Sequence, residues 1–186
     1  RSVFKNPNQF LVAGGDGLKN YYTYLYHIKN DTKYWTMDGM NYPFGENIIF
    51  TDNQPILANA LKSVHTIFPG IGCNLIAIHN LFLLLGLLLG GLGLFRVLRQ
   101  LKIDILFALI VSTGLIIMNP QIPRFNGHYG LFYPLLPWVF LWLIRIYQGA
   151  NSTRLSIYIG LFITVTGLLH MYHFVTAALL CVIWGI

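Results

Sequence analysis

Asp16, Glu46, Asp52, Arg124, His128, His170 and His173 are the side chains of this sequence whose types and surroundings could do chemistry. Carboxylates can take a proton from a reacting hydroxyl or hold a hard cation. An arginine can grip a phosphate through two parallel bonds, and histidines change charge near neutral pH. Asp16 stands in Gly14-Gly15-Asp16-Gly17, just before a run with helical spacing. Glycines on both sides let a backbone approach a ligand closely, and they equally suit a turn. Asp16 therefore reads as a helix cap or as a catalytic carboxylate, and the helix start is a ready anion site beside a phosphate. Glu46 and Asp52 lie in one loop. Each reads as a solvated carboxylate, or with Asp16 as a ligand of a divalent cation.

Arg124, His128 and Tyr129 share the short loop 119–130. Arg124 is suited to a phosphate, and a headgroup-facing arginine is the plainer reading. His170 and His173 could face each other across a turn, meet the same phosphate, or sit at an interface without a duty. His79 falls inside an apolar run and reads as a hydrogen-bonded packing residue, although polar groups in such runs are functional candidates.

The elements that must position these residues follow from composition. The chain has 186 residues, 55% hydrophobic and 10% charged, against about 25% charged in an ordinary soluble domain. That composition indicates a membrane protein. The net charge of +6 comes without a basic run interleaved with aromatics, so no nucleic-acid partner is expected. Cys73 and Cys181 have no CxxC or Cys/His spacing and read as small hydrophobes. The chain begins at Arg1 and stops at Ile186 within an apolar run, as a piece of a longer protein would.

Residues 1–70 read as a polar, aromatic-rich loop domain with two amphipathic helices, over about 16–28 and 54–68. Leu18, Tyr21, Tyr22, Leu25 and Ile28 mark the apolar face of the first. Ile56, Leu57, Ala60, Leu61, Val64 and Phe68 mark that of the second. Both are expected to lie in a membrane interface. Residues 71–186 are expected to form about five spans, over 73–95, 103–118, 131–144, the stretch ending near Leu169, and a last one from Phe174. The basic turns with Arg96, Arg99 and Lys102, and with Arg145 and Arg154, are assigned to the cytoplasm by the positive-inside rule. The chemical residues then share the extracytoplasmic face. The expected fold is all-α: a polytopic transmembrane helix bundle with a large extracytoplasmic loop domain.

The order of motifs resembles a known superfamily. A GGDG turn opens an amphipathic helix, followed by MNYPFGENIIFTDNQP, a glycine-rich apolar run, NPQIPRFNGHYGLF and LLHMYHF. This is similar to the N-terminal part of bacterial polytopic glycosyltransferases of the GT-C superfamily. The resemblance implies a GT-C-like fold and inverting transfer of a sugar from a polyprenyl-phosphate donor to a saccharide, lipid or protein acceptor. It places that transfer on the extracytoplasmic face of the bacterial cytoplasmic membrane. By the same resemblance Asp16 is the general base or the carboxylate that orients the acceptor hydroxyl. Arg124, with His128, His170 or His173, stabilises the leaving phosphate, and Tyr129 belongs to the same substrate loop. Glu46 or Asp52 binds a metal or the acceptor. Many members carry a second acid beside the catalytic aspartate where this chain has Gly15 and Gly17, so a divalent cation is left open as cofactor. A transporter or flippase of lipid-linked saccharides and a non-catalytic membrane scaffold are the competing readings. The first is disfavoured because no acid–base pair inside a span and no inverted repeat is visible.

Overall fold

A computed structural model describes residues 5–12, 15–119 and 135–184. The regular secondary structure of the described residues is helical apart from one two-residue ladder, in which β1 (Thr36–Met37) pairs antiparallel with β2 (Glu46–Asn47). Two compact units are formed. The first takes in residues 5–12, 15–82 and 168–171; the second takes in 83–119, 135–167 and 172–184.

In the first unit α1 (Gly15–Lys29) begins with Asp16 in its first turn and ends with His27 and Lys29 in its last, the charge order that a helix dipole favours. Its buried face is Gly17, Asn20, Tyr21, Thr23, Tyr24, His27 and Ile28. That differs from the expected apolar face, because Leu18 and Tyr22 point outward. The inner face is held by hydrogen bonds as well as by apolar contact, so polar residues occupy positions that periodicity assigns to solvent. The helix α2 (Pro55–Ile67) starts with Pro55, whose fixed φ suits a first turn, and buries Pro55, Ala58 and Lys62 in one stripe. Tyr24, Ile28, Ala58 and Leu75 form the apolar core of this unit.

α3 (Leu75–Gln100) starts in the first unit and is 26 residues long. Among the described residues it is the one helix long and apolar enough to cross a membrane. α4 (Ile105–Ile117), α5 (Leu136–Tyr147), α6 (Ser152–Gly167) and α7 (Met171–Trp184) have 13, 12, 16 and 14 residues. At the helical rise these are about 18–24 Å long, short of a hydrocarbon core of roughly 30 Å. The expectation of a polytopic transmembrane bundle is therefore corrected: the architecture is all-α, but the predicted spans other than the first break into shorter helices. The breaks have identifiable causes. Asp104 caps α4 by accepting from Leu106 N at 2.8 Å and Phe107 N at 3.2 Å, which fixes its start inside the expected span. Gly149, at φ 87°, closes α5 before Asn151 Oδ1 accepts from Arg154 N and opens α6. The long final run is interrupted between Gly167 and Met171.

The second unit packs Leu136, Val139 and Leu143 of α5 against Ile159 and Ile163 of α6 and Ala177 of α7. α3 approaches α5 closely at Gly93, where an added Cβ would lie 2.8 Å from Trp138 Nε1 and 2.9 Å from its Cδ1. The indole is pinned there by donating to Leu89 O at 2.9 Å, so it has no cheap way to yield. Gly93→Ala is expected to destabilise the chain by about 1–3 kcal/mol, the usual range for overpacking. Denaturant unfolding in detergent, followed by tryptophan fluorescence, checks this.

Candidate functional site

The first unit brings together three parts of the chain that the sequence separates widely. Lys19 on α1 places Nζ 3.2 Å from Asp52 Oδ2, and His170 places Nε2 3.3 Å from Asp52 Oδ1. The segment carrying His170 is tied to the start of α2 by Ile56 N donating to Leu168 O at 3.1 Å. Asp52 adopts φ 59° and Gln54 φ 57°, left-handed values that side chains with a Cβ rarely take. Strain of this kind is found where surrounding structure fixes a functional turn.

The Asp52 carboxyl is held below the usual carboxylate range, first by the hydrogen bond from His170, against the opposing effect of burial, and then by Lys19. The sign for stability follows from linkage. The fold favours the ionised form, so its contribution is complete above the unfolded value of about 3.9 and is lost as pH falls from there through the folded value. Asp52→Asn is accordingly expected to lose less stability than the parent as pH falls below about 4. Thermal unfolding across that range measures the difference.

Behind Asp52 lies a polar wall. Gln54 Nε2 donates to His79 Nε2 at 3.4 Å. The His79 ring packs 4.9 Å from Tyr21 and edge-on, at 4.6 Å, to Tyr24. Tyr21 Oη donates to Asn80 Oδ1, and Asn80 Nδ2 donates to Pro7 O at 2.8 Å and Gln9 O at 2.9 Å. On the outer side of α1, Phe10, Leu18, Tyr22, Leu25 and Tyr26 line an apolar groove of about 640 Å³. Lys19 lines this groove as well, so one side chain borders both the groove and Asp52.

A second polar group fastens α1 to α2. The buried His27 ring sits with Nδ1 2.7 Å from Asp31 Oδ2 and Nε2 2.9 Å from Asn59 Oδ1. Asp31 Oδ1 accepts from Asp38 N at 3.0 Å, anchoring the chain just after β1. Lys62 donates to Lys33 O and lies 5.2 Å over the Tyr34 ring. Burial lowers the Lys62 pKa, and the charges of Asp31 and Asp38 oppose that shift.

The expected site residues are only partly united. Asp16 is exposed in the first turn of α1, one turn before Lys19. Glu46 lies on β2, in register with Met37, while Asp52 pairs with Lys19 and His170. His170 belongs to the first unit; His173 is buried in the first turn of α7, in the second. Arg124, His128 and Tyr129 lie outside the described residues. Among the described residues no three His, Cys, Asp or Glu side chains gather where they could hold a metal ion. Sequence reading missed Lys19, the His27–Asp31 pair and the Gln54–His79 contact. The i,i+4 spacing of His27 and Asp31 was a legible signal. No local pattern announces the other two.

Fold and site together define an all-α protein, with one described helix long and apolar enough to cross a membrane and a carboxylate clasped by lysine and histidine. The chain belongs to the DUF6311 family, a domain of unknown function, which matches residues 2–186. No curated protein and no solved structure matches it.

Proposed function

We propose that the first unit transfers a sugar from a polyprenyl-phosphate donor to a hydroxyl acceptor at the extracytoplasmic surface of the bacterial cytoplasmic membrane. The observation that carries this reading is the position of Lys19, shared between an apolar groove and the Asp52–His170 pair. A groove lined by Leu18, Leu25 and aromatic rings suits an isoprenoid chain, and its lysine border suits the phosphate at that chain's end. In the proposed step the acceptor oxygen attacks the anomeric carbon and the bond from that carbon to the phosphate oxygen breaks. The electron pair leaves with the polyprenyl phosphate, whose growing charge Lys19 offsets. The acceptor proton passes to the Asp16 carboxylate, one helical turn from Lys19. Asp52 acts as a positioning residue, since Lys19 and His170 already occupy its oxygens. Arg124, with His128, His170 or His173, keeps by resemblance the role of stabilising the leaving phosphate, Tyr129 stays a substrate-binding residue, and the acceptor is a saccharide, lipid or protein hydroxyl.

The test is transfer of radiolabelled sugar from polyprenyl-phosphate donors by the chain reconstituted in liposomes. Label appearing in an acceptor, with free polyprenyl phosphate released in equal amount, is the expected result. Donor that crosses the bilayer unchanged would move the reading to a flippase. Donor left bound and unchanged would move it to a scaffold.

A further inference from the structure

We propose that the groove between α3 and α4 holds an acyl chain of an anionic phospholipid, whose phosphate sits at the basic turn joining the two helices. The groove has a volume of about 500 Å³ and lies wholly within the second unit. Leu87, Leu92 and Phe95 line it from α3, and Leu109, Ile116 and Ile117 line it from α4. At Gly91 the two helices come close, since an added Cβ would lie 3.3 Å from Ile116 Cγ1. Ser112 also lines the groove, but its hydroxyl donates to Leu109 O at 3.1 Å and so asks nothing of a ligand. At the helical rise Leu87–Phe95 spans about 12 Å, a narrow apolar channel that suits an extended hydrocarbon chain. Leu88 and Ile117, both among the lining residues, are exposed, and α3 is the described helix long and apolar enough to cross a membrane.

Charge at one end of the groove selects the occupant. Phe95 and Leu109 mark the end nearest the turn 101–104, and Arg96, Arg99 and Lys102 are exposed there. Arg145 joins them, because its Nε donates to Gln100 Oε1 at 3.3 Å. The one acid in this stretch, Asp104, is engaged with the amides of Leu106 and Phe107. Arg99 donates to Ile103 O at 2.6 Å, which uses one of its five N–H groups and leaves donors for a phosphate. An anionic phospholipid matches both features, with its chain in the apolar channel and its phosphate among the cations. An apolar helix would cover the channel and leave the cations without an anion. The site stands in a different unit from Lys19, Asp52 and His170 and does not depend on the transfer reading.

The test is photolabelling of the full chain in vesicles of phosphatidylcholine and phosphatidylglycerol, with a diazirine on the acyl chain of one lipid or the other. Peptide mass spectrometry then compares the groove residues with Leu179, Val182 and Ile183, exposed apolar positions on α7 that line no described cavity. Phosphatidylglycerol is expected to label the groove at least about fivefold more than phosphatidylcholine, since a single basic residue near an anionic headgroup accounts for roughly that factor. On α7 the two lipids should label alike. Arg96→Gln with Lys102→Asn should bring the groove ratio down to the α7 ratio. Asparagine is chosen at Lys102 because that residue has φ 63°, a left-handed value asparagine tolerates. Thr113→Trp, at an exposed lining position, should remove the groove label while leaving label on α7 unchanged. Equal labelling of the groove by both lipids overturns the proposal, and so does a preference that survives loss of the two cations. Label that persists in a folded Thr113→Trp chain would mean surface adsorption of the headgroup alone and overturns it too. Label on α7 but not in the groove would mean that another helix or a second copy covers the channel, with the same consequence. If Thr113→Trp does not fold, the charge variant decides by itself.

Discussion

Asp16→Asn is expected to reduce sugar transfer by about 10²–10⁴-fold while leaving donor binding and the melting temperature near those of the parent. The physical argument turns on what asparagine keeps and what it loses. Asp16 occupies the exposed first turn of α1, a position where an oxygen can accept from free helix amides. Asparagine caps a helix start about as well as aspartate, so a capping role survives the substitution. The amide oxygen cannot take up a proton as the acceptor hydroxyl attacks, so a general-base role does not survive. Transfer rate and thermal melting measured on the same preparation separate the two roles. A variant that transfers at the parent rate would leave Asp16 as a cap and move the base to another carboxylate. Asp52→Asn makes the informative comparison. Asp52 holds Lys19 and His170 in place, so its loss should raise the donor KM, with a smaller fall in kcat than at Asp16.

His27→Ala is expected to cost about 3–5 kcal/mol of stability, because it removes one partner of a buried hydrogen-bonded pair and leaves Asp31 without it. Side-chain exposure of His27 and Asp31 is 0% and 1%, so water cannot replace the imidazole without opening the structure. The same ring holds Asn59 on α2, and Asp31 holds the backbone of Asp38. The substitution removes the ring's contacts to Asp31 and to Asn59 at once. For a chain of this length the melting temperature should fall by roughly 6–20 °C. Adding Asp31→Asn to His27→Ala should recover part of the loss, since the second change removes the unpaired carboxylate. A double variant that melts as low as the sum of the two single losses would show that the pair is not coupled.

Much of the helix placement was legible before any coordinates. The spacing that predicts helices over about 16–28 and 54–68 corresponds to Gly15–Lys29 and Pro55–Ile67, and the first long apolar run contains most of Leu75–Gln100. Helices are local: capping groups and 3.6-residue periodicity are written within the segment that folds. What each helix buries was less legible. On α1, Asn20, Thr23 and His27 are inside, whereas Leu18 and Tyr22 are outside. Apolar periodicity assumes an apolar partner, and α1 meets hydrogen-bonding groups from α2 and the 52–54 turn instead. The number of spans differs from the expected five for a different reason. Average hydropathy over a window does not register the caps and turns at Asp104, Gly149 and 168–170 that cut the apolar runs short.

By itself the sequence determined the all-α character, the apolar balance, and which residues are capable of proton transfer or phosphate binding, because these depend on composition and short-range spacing. Tertiary structure alone decided which of them meet. Lys19, Asp52 and His170 are 33 and 118 residues apart along the chain, yet both partners meet the Asp52 carboxylate. Glu46, only six residues from Asp52, stays on its own strand. The distance between two side chains is set by how helices and turns pack, and packing free energy is summed over contacts throughout the unit rather than within any one motif.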